Sequence, residues 1–259
     1  MVEVPKPVLK GRKALVVGIA NENSIAYGCA KAFAELGADL AVTYLNERAL
    51  PYVEPLAQGV GAQIFMPLDV AKSGELEAVF DRIRSQWGRL DLLVHSIAFA
   101  PKADLQGGLL DCSAEGFSQA MDVSCHSFVR MARLAAPLMN EGGAMFAMSY
   151  HGAQKVVPNY NVMGPVKAAL EASCRYLAYE LGSRNIRVHA VSPGPLKSRA
   201  ASGLKDFDRL LNDAVERAPV GELIDIMDVG FAVAYLATPY ARRITGSTLY
   251  VDGGVNIMA

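Results

Sequence analysis

Short apolar runs alternate along the chain with longer segments in which apolar residues recur every three or four positions. The runs Ala14–Gly18, Leu40–Tyr44, Ala62–Met66, Leu90–His95, Ala144–Ser149, Arg187–Ser192 and Ser247–Val251 predict strands. Between them the helical period marks Ser24–Leu36, Leu50–Gln58, Gly74–Trp87, Ala114–Met139, Tyr160–Leu181 and Met227–Ala237. Repeated strand-then-helix units build a parallel sheet covered on both faces, so the expected fold is a doubly wound α/β domain with seven strands, flanked by helices. No repeat or linker divides residues 1–259, and a single domain is expected. The longest stretch with neither period is Pro193–Asp206, and a loop of that length in a compact domain is usually functional.

Composition narrows the function classes. With 259 residues, 52% hydrophobic and 20% charged, the chain can bury a large core and is not disordered. Twenty-five basic residues against 26 acidic ones, with no basic block, leave no footprint for nucleic acid and no polybasic membrane anchor. Cys29, Cys112, Cys125 and Cys174 form no C-x-x-C pair, so buried reduced thiols are expected rather than zinc or disulfides. No run of about 18 apolar residues occurs, and the opening MVEVPKPVLKGRK lacks the apolar core of a signal peptide; a cytoplasmic location is expected.

Open parallel sheets bind ligands beyond the carboxyl ends of their strands. After the first strand, Gly18 opens a turn leading to Ser24 and Ile25, where a missing Cβ and a helix N-terminus suit a pyrophosphate. This is not G-x-G-x-x-G, and Ser24 as an ordinary N-cap is the competing reading. The second strand ends in uncharged Tyr44-Leu45-Asn46, with Glu47 and Arg48 just beyond, so the sequence encodes the choice between NAD and NADP poorly. Asp69 and Val70 follow the third strand, where an acid accepts from the adenine amino group; Asp69 as a cap for the next helix is the alternative.

The most distinctive signal is Ser149-Tyr150 followed by Tyr160, Met163 and Lys167. With Tyr160 at the start of the predicted helix Tyr160–Leu181, seven residues span nearly two turns, so Tyr160, Met163 and Lys167 share one face, with phenol and ammonium roughly 10 Å apart along the axis. A cation near a phenol suits a hydroxyl that must hydrogen-bond a developing oxyanion. Pro165, inside this helix, is a locally costly choice of about 3 kcal/mol.

The segments GIANENSIAYG, LDV (68–70), HSIAFA (95–100), SYHGAQKVVPNYNVMGPVKAALEA, VSPGP, KSRAASGLKDF and VDGG resemble the bacterial enoyl-[acyl-carrier-protein] reductases of the short-chain dehydrogenase/reductase superfamily, from about Lys10 to the C-terminus. Carbonyl reductases of that superfamily carry Tyr-x3-Lys with a serine about 13 residues upstream. Here Gly164 follows Tyr160 by four, and Ala147 holds the upstream place. Tyr27 and Lys31 make the only Tyr-x3-Lys in the chain, read as coincidence.

The resemblance implies a Rossmann-type fold, NADH in preference to NADPH, an enoyl-acyl-carrier-protein substrate and a homotetramer. It makes Tyr150, Tyr160 and Lys167 catalytic: Tyr160 on the thioester carbonyl, Lys167 on the nicotinamide ribose, Tyr150 beside the acyl pocket. Gly18, Ser24, Ile25, Leu45, Asp69, Val70, Ser96, Ile97, Ala98, Gly194, Pro195, Leu196 and Ser198 become cofactor contacts. Ala100, Met163, Ala200 and Phe207 join the two tyrosines around substrate, with a substrate loop over about 195–217. The rival readings are another superfamily reductase acting on a carbonyl or steroid, and a non-catalytic dinucleotide-binding regulator. The histidines show no metal-ligand spacing, the methionines Met121, Met131, Met139, Met145 and Met148 read as core, and Lys205 and Arg209 are either carrier contacts or a solvated helix face.

Overall fold

The computed structural model describes residues 8–196 and 207–258, and the side chains of all of these but 207–210. Ser198 and Ala200 lie outside the described residues, as do Lys197, Lys205 and the side chains of Phe207 and Arg209. Seven strands, β1 (Lys13–Val17), β2 (Asp39–Tyr44), β3 (Ile64–Pro67), β4 (Leu92–His95), β5 (Gly143–Met148), β6 (Ile186–Pro193) and β7 (Thr248–Val251), form one sheet in the order β3-β2-β1-β4-β5-β6-β7. Every pairing is parallel. Alternate residues feed two apolar layers: Leu15, Val17, Leu93 and Met145 on one face, Ala14, Val16, Leu92 and Phe146 on the other. Burial on both sides is why these strands read as continuous apolar runs.

The first layer packs under α3 (Glu75–Trp87), α6 (Ser127–Ala135) and α7 (Met163–Leu181); the second under α1 (Ile25–Glu35), α2 (Leu50–Gly59) and α9 (Ile226–Ala237). Two short helices, α4 (Lys102–Gln106) and α8 (Phe207–Arg217), were not expected from periodicity; α8 occupies the end of the segment read as a substrate loop and buries Leu211 and Ala214. The long helix expected over Ala114–Met139 is interrupted: α5 (Ala114–Met121) passes through a π-turn at Asp122–His126 into α6. There Ser127 Oγ donates to the Val123 carbonyl at 2.7 Å, and Ser124 Oγ sits 2.8 Å from Phe99 N and 3.0 Å from Phe99 O, anchoring the chain that leaves β4.

Cys29, Cys125 and Cys174 are buried free thiols, whereas Cys112 is partly exposed, because it lies in the surface turn ahead of α5. Helices α1 and α9 meet backbone to backbone: a Cβ on Gly28 would lie 2.0 Å from the Ile226 carbonyl oxygen, and one on Gly230 would lie 2.4 Å from that of Gly28. Neither obstacle is a side chain that can swing away. Gly28→Ala is expected to destabilise the protein by about 3 kcal/mol. A denaturant midpoint indistinguishable from the parent's would contradict this close packing.

Candidate active site

The sheet reverses its direction of winding between β1 and β4, the topological switch point where such folds open a crevice. Gly18 follows β1 there with φ of 113°, and a Cβ on it would lie 2.1 Å from the Ser96 carbonyl oxygen. Only glycine lets the two strand ends approach so closely. Ser24 precedes α1 without capping it: its Oγ instead accepts from the Ala20 and Asn21 amides, both at 3.0 Å. The expected alternative, an ordinary N-cap, is therefore corrected. At the positive end of α1 the amides of Tyr27 and Gly28 are taken by the Ser24 carbonyl, leaving those of Ile25 and Ala26 facing the loop that follows Gly18. This cradle fits a diphosphate.

Asp69 is likewise not a helix cap. Its Oδ1 accepts from Ala71 N at 3.0 Å in a local turn, and α3 begins six residues later behind Gly74. Val70 is buried and its carbonyl accepts from Arg130 Nη2 at 3.0 Å. Leu45 is exposed at the end of β2, and the Asn46 side chain turns the chain into α2 by accepting from Arg48 N and Ala49 N. Ser96, Ile97, Ala98 and Ala100 follow β4, and Gly194, Pro195 and Leu196 follow β6, with Gly194 against Asp252 and Leu196 buried. All these residues lie at carboxyl ends of strands. A cavity of about 520 Å³ at the opposite edge, lined by Arg12, Glu141 and Arg187 among others, includes none of them.

Beside β5 the structure corrects the reading of the Tyr160 helix. Helix α7 begins at Met163, not Tyr160. Asn159 and Asn161 both have positive φ (64° and 45°), a conformation asparagine tolerates better than most residues, and Tyr160 rides between them on a turn. The tyrosine and the lysine thus do not share a helix face. Pro165 becomes the third helical residue, where its missing N–H has no intrahelical acceptor to satisfy, so it carries no penalty.

The two tyrosines nonetheless meet. The rings of Tyr150 and Tyr160 meet edge to face with centroids 4.8 Å apart, and Gly152 is close enough to the Tyr160 ring that a Cβ would reach 2.5 Å from Cδ1. Met163 is buried at the start of α7. Lys167, 4% exposed, donates from Nζ to the Met148 carbonyl at 2.6 Å. Burial raises the Tyr160 phenol pKa strongly, with Tyr150 adding to the effect, and raises that of Tyr150 to about 12, opposed by the nearby Arg217 charge. Both are neutral donors at ordinary pH.

Burial lowers Lys167 to about 8, against the opposing pull of Cys125, Cys174 and Glu171. His95 Nε2 lies 2.7 Å from Ser127 Oγ; desolvation and the Lys167 charge lower it to about 3, so it stays neutral. Ala147 is buried on β5, so no hydroxyl stands where a carbonyl reductase has its serine. Tyr27 and Lys31 form only a local cation–π contact on α1, at 5.7 Å. Sequence reasoning did not single out Glu171, buried one turn beyond Lys167; the four-residue spacing was its only signal.

The strand order, with its switch point between β1 and β4, and the glycine turn from β1 into α1 together define a Rossmann-type α/β protein. The chain matches the family described as Enoyl-(Acyl carrier protein) reductase over residues 18–256. It is 44% identical over 250 residues to an enoyl-[acyl-carrier-protein] reductase [NADH] of Rhizobium meliloti, covering 96% of this chain and 93% of that protein. The solved enoyl-[acyl-carrier-protein] reductase (NADH) of Aquifex aeolicus superposes with a TM-score of 0.93 at 43% identity, over 97% of this chain and 99% of that one. A Bacillus cereus enoyl-acyl carrier protein reductase, solved with NADP+ and indole naphthyridinone, gives 0.94 at 40% identity, over 97% and 99%. The chain belongs to the enoyl-[acyl-carrier-protein] reductase family.

Lys167 carries a pH signature. An unfolded lysine titrates near 10.4, the folded one near 8, so between these values the unfolded chain holds a proton that the native protein has lost. Stability then rises with pH through that window. Relative to Lys167→Met, the parent is expected to gain roughly 3 kcal/mol of unfolding free energy from about pH 8 to about pH 10.4. Parallel stability curves for the two proteins would show that the ammonium is not buried as described.

Proposed function

We infer that this chain is an enoyl-acyl-carrier-protein reductase that completes an elongation cycle of fatty-acid synthesis by reducing a trans-2-enoyl thioester. The observation that carries the reading is the Tyr150–Tyr160 pair just past the end of β5, with Lys167 held on the Met148 carbonyl two residues before Tyr150, in a chain of this family. NADH, when bound, supplies the hydride for the β-carbon of the substrate. Negative charge then collects on the thioester oxygen, and the Tyr160 hydroxyl, kept protonated by burial, donates to it. Lys167 in its ammonium form holds the ribose hydroxyls, oriented by its bond to Met148. Tyr150, Met163 and Ala100 border the acyl chain.

For the cofactor, Gly18, Ser24 and Ile25 cradle the pyrophosphate, Asp69 and Val70 meet the adenine, and Ser96, Ile97 and Ala98 flank the ribose side. Gly194, Pro195, Leu196 and Ser198 serve the carboxamide and phosphates. NADH is favoured over NADPH because relatives in this family are named as NADH-dependent reductases. The missing hydroxyl at Ala147 argues against a carbonyl or steroid substrate, and the complete tyrosine–tyrosine–lysine set against a non-catalytic regulator.

The enzyme works in the cytoplasm, in keeping with the absence of any described helix long and apolar enough to cross a membrane. It assembles as a homotetramer through α5–α6 and α7, for which Tyr176 and Tyr179, exposed on the outer face of α7, supply apolar contact area.

Tyr160→Phe is expected to lower turnover of crotonyl thioester about 100-fold with little change in NADH affinity, since one oxyanion donor contributes about 3 kcal/mol in the transition state. Unchanged turnover removes this mechanism, and ketone reduction without enoyl reduction moves the chain to the rival class. Rates with NADH and NADPH over several acyl lengths test the cofactor preference. Light scattering at micromolar concentration is expected to give a tetramer; a monomer refutes the assembly.

A further inference from the structure

Helix α7 and the turn before it grip three consecutive residues where β5 ends. Lys167 takes the Met148 carbonyl, Tyr160 abuts Tyr150 just ahead of the helix, and between them Ser149 Oγ donates to Glu171 Oε1 at 2.7 Å. The second carboxylate oxygen accepts from Gln154 Nε2 at 3.0 Å. One side chain, 3% exposed, therefore spans both ends of the segment 149–154. That segment carries Tyr150 and places Gly152 on the ring of Tyr160. No ion pair to Glu171 is formed among the described residues, so the two donors are what keep the buried carboxylate satisfied.

Burying an acid where a leucine or methionine would pack is a costly solution, and here its two bonds run to the one turn on which both tyrosines depend. We propose that Glu171 is a positioning residue, which fixes the relative placement of Tyr150 and Tyr160 by clamping residues 149 and 154 to α7. The proposal rests on the reductase reading, in which the Tyr160 hydroxyl meets the thioester oxygen. Glu171 acts through hydrogen bonds, so a neutral side chain with the same reach does the same work. In Glu171→Gln the amide oxygen still accepts from Ser149, and Gln154 can turn its own amide to accept from the new NH2 group.

The test measures turnover, NADH affinity and hydrogen exchange of segment 149–154 on the full-length protein. Glu171→Ala is expected to lower kcat with saturating NADH and crotonyl thioester about 30-fold while NADH affinity changes less than about 3-fold, since small misplacements of reacting groups are costly. Exchange of residues 149–154 accelerates. Glu171→Gln restores kcat to within about 3-fold of the parent and slows that exchange again.

Equal impairment of the Ala and Gln variants overturns the proposal, as does an Ala variant that turns over like the parent. Should Glu171→Ala not fold, Gln154→Ala, altered at an exposed side chain, releases one end of the clamp and is expected to lower kcat about 5-fold at unchanged NADH affinity. An unaltered kcat in that variant also overturns it. A parent protein that reduces no enoyl thioester refutes the reductase reading, whereas exchange indifferent to Glu171 refutes the clamp.

Discussion

An ammonium buried between β5 and α7 sets the terms for the rest of the site. Lys167 is enclosed in the apolar layer, and its Nζ is satisfied by a backbone carbonyl, that of Met148, with no carboxylate among the described residues in an ion pair with it. Such a group is stable only where its surroundings cannot relax away from it. The parallel ladder holding Met148 opposite Val191 provides that rigidity, because a strand paired on both sides cannot shift by a fraction of a residue. The neutral His95 and the two high-pKa phenols follow the same logic: each polar group near the lysine is either uncharged or hydrogen-bonded. The site thus sets neutral phenol donors beside the Lys167 ammonium, a good setting for stabilising a charge that develops elsewhere.

Much of this was legible in the residues. All seven strands lie where apolar runs occur, since a sheet covered on both faces writes its burial directly into the sequence. The helix expected at Tyr160 was wrong because amphipathic spacing alone cannot see a turn. Asn159 and Asn161, two residues at home in left-handed conformations, were the overlooked stop signal, and they also explain how Pro165 fits the first turn. The π-turn at Asp122–His126 left no periodic trace, being a single extra residue in an otherwise regular run.

Ser24 and Asp69 show how cap chemistry misleads. Both are residue types that prefer helix starts, yet each spends its oxygen on a neighbouring loop amide. For Lys167 and the tyrosines, spacing with a family resemblance identified the group, but not how it is held. Glu171 escaped notice because a glutamate on a helix ordinarily reads as solvated, and only packing reveals that this one faces inward.

The contact of Gly28 with Gly230 joins the first helix of the fold to the last. On the ribosome, α1 emerges roughly 200 residues ahead of the partner that covers it, so the nascent chain must keep an apolar helix face without its native neighbour for most of translation. Folding therefore cannot finish vectorially from the N-terminus. Any chain cut short before α9 leaves that face bare, presenting quality-control proteases with a recognisable sign of an incomplete product.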